Sequence, residues 1–95
     1  MIKTIVERFE AVLAELDALA GACGSPEALE DLNAEFEDAL MMLSDIDPRE
    51  EGWREELSDA LECLRTLAGD YRMLAGDIPG VGALAERIET AADVP

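Results

Sequence analysis

The side chains able to do chemistry in this chain are almost all carboxylates. Glu35 and Asp38 lie three residues apart, as do Glu56 and Asp59. On a helix that spacing puts both side chains on one face, where Mg²⁺ needs only a few protein oxygens besides water. The chain has no histidine, so no Ser-His or Cys-His pair exists for nucleophilic catalysis. Cys23 and Cys63 are too few for a disulfide framework. Without histidine they cannot close a tetrahedral zinc shell either. They read as free thiols of a reducing compartment, which points to the cytoplasm. Cys63 follows Glu62 in an acidic stretch, not in the electropositive surroundings of a reactive thiol. Asp45, Asp47 and Glu56 match three ligand positions of a calcium-binding EF-hand loop. Arg49 and Glu50 occupy that loop's next ligand and its glycine turn, so the stretch reads as a cap between two helices.

The segment EELSDALECL, Glu55 to Leu64, resembles the second metal motif of the MazG-like all-α nucleotide pyrophosphohydrolases. In that family an EExxE helix and a later ExxD helix bind Mg²⁺ and hydrolyse nucleoside triphosphates to monophosphates. The resemblance spans about residues 25–75 and implies Glu35, Asp38, Glu56 and Asp59 as metal ligands. It departs at Ala34, which stands where the first Glu belongs, and at Asp38, which replaces a Glu. Outside this resemblance no cofactor is expected.

Charge is distributed unevenly. The formal net charge is -16, and between Phe9 and Pro48 there is no Lys or Arg against eleven acids. Most of those acids fall outside the apolar stripes. A surface built only for solubility mixes both signs and gains local pairings. Duplex DNA over a roughly 30 Å length carries about 18 charges, so eleven acids on a helical hairpin of that length reach about 60% of its density. In charge and size, though in no motif, the chain resembles phage-type inhibitors that imitate DNA, including small helical anti-CRISPR proteins. That resemblance implies an acidic face that occupies the basic nucleic-acid-binding surface of a target protein. Its expected contacts are Glu27, Glu30, Asp31, Glu35, Glu37 and Asp38, with the outward Met41 as an apolar anchor. Direct binding to nucleic acid or to an anionic membrane is disfavoured by the same charge. The alternative is a helical adaptor, assembly chaperone or dimerisation module.

The elements that must carry these side chains are helices. With four aromatic residues the core has to be built of Leu and Ala, which favour helix over sheet. Ile2, Ile5, Val6, Phe9, Val12, Leu13, Leu16, Leu19 and Ala20 form a heptad stripe that Gly21 and Gly24 end. Ser25-Pro26-Glu27 predicts a capped start for a second helix, whose stripe is Leu29, Leu32, Phe36, Ala39, Leu43 and Ile46. Asp47-Pro48-Arg49-Glu50 predicts the start of a third helix by a capping box. Its stripe runs through Trp53, Leu57, Ala60, Leu64, Leu67, Tyr71 and Leu74, which gives about 28 residues and an overhang of roughly 12 Å. After the break at Gly76–Gly80 a short fourth helix places Val81, Leu84, Ala85 and Ile88 inward. The expected fold is all-α: one domain over residues 1–95, an antiparallel three-helix bundle. The short fourth helix folds back over the overhang or completes a homodimer. No apolar run reaches membrane-spanning length.

Overall fold

The chain forms an all-α bundle, here as a computed structural model describing residues 2–24 and 26–93. Its helices are α1 (Ile2–Ala22), α2 (Glu27–Ser44), α3 (Trp53–Leu74) and α4 (Val81–Ala92). Helix α1 packs against α2 and α4, and α3 packs against the same two. The four helices therefore form a ring, with α1 opposite α3 and α2 opposite α4. The fourth helix folds back, as the first of the two expected arrangements required.

The predicted stripes form the core. Phe9, Leu16, Leu29, Phe36, Leu43, Leu64, Tyr71, Val81 and Ile88 are fully buried. Phe36 is the hub. Its ring meets Phe9 of α1 edge-on at 6.1 Å and Tyr71 of α3 at 6.3 Å. These contacts link the two diagonal helices through α2 with geometry that aromatic quadrupoles favour.

Three local expectations change. Helix α3 starts at Trp53 rather than at Asp47-Pro48. Asp47 to Glu50 forms a turn instead, in which the Glu50 amide donates to the Asp47 carbonyl at 3.0 Å. Pro48 supplies the fixed φ of such a turn, and the Asp47 carboxylate accepts from the Arg49 amide at 2.9 Å. The capping box through Glu50 is therefore not formed. Gly52 then takes φ +84°, a left-handed conformation open to glycine, and redirects the chain into α3. The helix has 22 residues, close to the 21 of α1, so the large overhang disappears. At α2, Pro26 is the cap residue and Glu27 the first helical one. The expected Ser25 cap lies outside the described residues. Finally, Trp53, Leu57, Leu13 and Leu32 are only partly buried. For Trp53 and Leu57 the reason is length, since α4 has 12 residues and cannot reach the first turns of α3.

Candidate functional site

Helix α2 carries six acids and no base, and its neighbours decide where each acid faces. Towards α1, Glu30 and Glu37 line a shallow groove with Asp17, floored by Ala20, Asn33 and Ala34. One turn further along the same seam, Met41 joins Glu10, Glu37 and Asp45. Met41 is 61% exposed, as its outward position in the stripe predicted. Towards α3, Glu35 and Asp38 line a second groove with Asp59, Glu62 and Asp70. Glu27 and Asp31 are exposed. The expected contact residues are therefore not one patch. They wrap the outer surface of α2 and reach into the grooves on both its sides.

Four of the chain's six arginines are engaged elsewhere by ion pairs or hydrogen bonds. Arg72 pairs with Glu89 at 2.6 Å, and Arg87 pairs with Glu15. Arg65 donates to the Ala92 carbonyl at 2.8 Å. Arg49 pairs with Asp47, and its guanidinium and amide together hold that carboxyl below the usual carboxylate range. Two of the eleven acids between Phe9 and Pro48, Glu15 and Asp47, thus have a cation after all, brought from beyond that stretch. The other nine have no ion-pairing partner among the described residues.

The four carboxylates of the hydrolase resemblance are only partly brought together. Glu35, Asp38 and Asp59 line the α2–α3 groove, whereas Glu56, one turn before Asp59, is exposed outside it. Among the described residues no three Asp, Glu, Cys or His side chains converge closely enough to hold a metal ion. The residues of the resemblance therefore do not form a preassembled Mg²⁺ site.

One polar cluster escaped the stripe analysis. Asn33 is 6% exposed, the one buried polar residue among those described. Its Oδ1 accepts from the Tyr71 hydroxyl at 2.7 Å, and its Nδ2 donates to Asp17 Oδ1 at 3.2 Å. The relay joins α3, α2 and α1. Burial, reinforced by the nearby Asp17 and Glu35 carboxylates, pushes the Tyr71 phenol well above its ordinary range. The available signal was spacing: Asn33 falls four after Leu29 and three before Phe36, on the core stripe.

Among the described residues no helix is long and apolar enough to cross a membrane. No protein-family model matches the chain, and comparisons with curated proteins and with solved structures find no match.

Proposed function

We propose that this protein is a binding protein whose α2-centred acidic surface occupies the basic nucleic-acid-binding surface of a target protein. The observation behind this reading is the cation-free character of α2, together with the engagement of Arg65, Arg72 and Arg87 at or beside α4. Carboxylates left without local cations gain most from a basic surface, and rim charges of this kind act through steering and specificity. Met41 offers an adaptable apolar contact at the edge of the charged surface.

The test is recovery of partners from host lysate at low and high salt, followed by competition with duplex DNA. The expected partner binds nucleic acid, is released by salt, and is displaced by DNA. Reversal of Glu30, Asp31, Glu37 and Asp38 to Lys should abolish its capture while circular dichroism still shows the helical bundle. A partner that holds DNA and this protein together would refute the reading. Pyrophosphate release from a nucleoside triphosphate with Mg²⁺, lost in Glu56→Gln, would replace it by the hydrolase reading. The half-exposed Trp53 and Leu57 favour a second reading, a dimerisation or adaptor module acting through that open end. A dimer in sedimentation that Trp53→Ala dissociates would support it.

A further inference from the structure

The α2–α3 groove has a built character that charge alone does not explain. Its volume is about 650 Å³. Ala39 and Leu67 form an apolar floor, and Met42 stands in it half-exposed. Glu35 and Asp38 rise on the α2 wall, and Asp59, Glu62 and Asp70 on the α3 wall. No Lys or Arg lines it, because Arg65 and Arg72 reach away from this side of α3 to Ala92 and Glu89 of α4. From Asp59 onward α3 is thus segregated lengthwise, with Arg65 and Arg72 towards α4 and Asp59, Glu62 and Asp70 towards α2. On the acidic side Asp59, Glu62, Thr66 and Asp70 follow one another at one-turn steps. From Asp59 to Asp70 the wall spans about 16 Å, three helical turns. Met73, 82% exposed, continues the stripe past Asp70.

We propose that this groove seats a basic amphipathic helix of a protein partner. The sign of the walls repels a phosphate that comes without its own cation. Asp59, Glu62 and Asp70 stand at steps of one and then two turns, which match the rise between Lys or Arg side chains along one face of a docked helix. An apolar floor flanked by charge matches an amphipathic stripe, and exposed methionine adapts to differing apolar side chains. An extended peptide that adds as a strand would need a free sheet edge, and one in the polyproline conformation an aromatic-lined groove; the described residues form no strand, and the residues lining this groove include no aromatic one. The inference goes beyond the decoy reading, because it names the shape of a partner segment and holds whether or not that partner binds nucleic acid.

The two thiols make the test direct. Both are exposed, Cys63 in the groove and Cys23 beyond the end of α1. The probe is a Leu/Lys amphipathic helical peptide of about fourteen residues, just over three helical turns in length. A scrambled peptide of the same composition and spermidine serve as controls. The amphipathic peptide at about four times its Kd should slow alkylation of Cys63 about fivefold and leave Cys23 unchanged. High salt and Met42→Gln should each weaken the protection. Equal protection of Cys63 by the scrambled peptide or by spermidine would overturn the proposal, as would peptide binding that leaves Cys63 unprotected. Met42→Gln keeps all the carboxylates, so the decoy reading expects salt-sensitive partner capture to survive it. The peptide arm stands even if no nucleic-acid-binding partner is recovered.

Discussion

At the residue scale the most constrained group is the pair Tyr71 and Asn33, whose 2.7 Å hydrogen bond lies inside the core. Removing one partner strands the other away from water. Tyr71→Phe and Asn33→Leu should each cost about 1–3 kcal/mol in chemical denaturation. The double variant should cost clearly less than the sum, since neither buried polar group is then left alone. Additive costs would mean that the hydrogen bond carries no stability. The same burial gives a pH dependence. The phenol is held neutral, so its folded pKa lies above the unfolded value of 10.0. The stability that this contributes is complete below the unfolded value and is lost as pH rises towards the folded one. Alkaline titration should therefore show phenolate absorbance from Tyr71, the chain's one tyrosine, appearing together with loss of helix well above pH 10. Phenolate that appears near pH 10 in an intact bundle would refute the buried setting.

At the scale of elements, glycine separates what the helices tolerate from what they require. Gly69 lies inside α3, and an added Cβ there meets open space. Gly69→Ala should therefore stabilise by about 0.5–1 kcal/mol, read as a higher denaturant midpoint. Gly52 and Gly80 have φ of +84° and +94°, so alanine there is strained. Helix faces were legible in the sequence because a period of 3.6 repeats over five or six turns. The start of α3 was not, because Asp-Pro opens a turn as readily as a helix, and the choice shows here in the Asp47–Glu50 turn and the left-handed Gly52 that follows it. The position of Asn33 on the core stripe was legible by spacing, but its hydrogen-bond partner was not, because that tyrosine lies 38 positions away. The acidity of α2 was plain in the sequence. Its division into two grooves was not, since that depends on which neighbours α2 acquires, and the ring order is a long-range property. The sequence likewise left Glu15 without a cation, because Arg87 lies on a helix that comes alongside only in the fold.

At the scale of the molecule, a charge of -16 on a body of 43 × 19 × 18 Å means substantial self-repulsion. Raising salt from 0.01 M to 1 M shortens the screening length from about 30 Å to about 3 Å. The melting temperature should rise with it, by roughly 4–8 °C for each kcal/mol of repulsion removed. A fall would mean that the arginine ties to α4 outweigh the repulsion. Those ties have a further effect. Arg65, Arg72 and Arg87 are gathered at or beside α4, and the cation-free α2 lies diagonally opposite. Acid is thus compensated on the α4 side and uncompensated on the α2 side, and this uneven charge gives the bundle a transverse electric dipole moment besides its net charge. In the field of a cationic surface that moment produces a torque. That torque favours an orientation with α2 foremost while water still separates the two bodies.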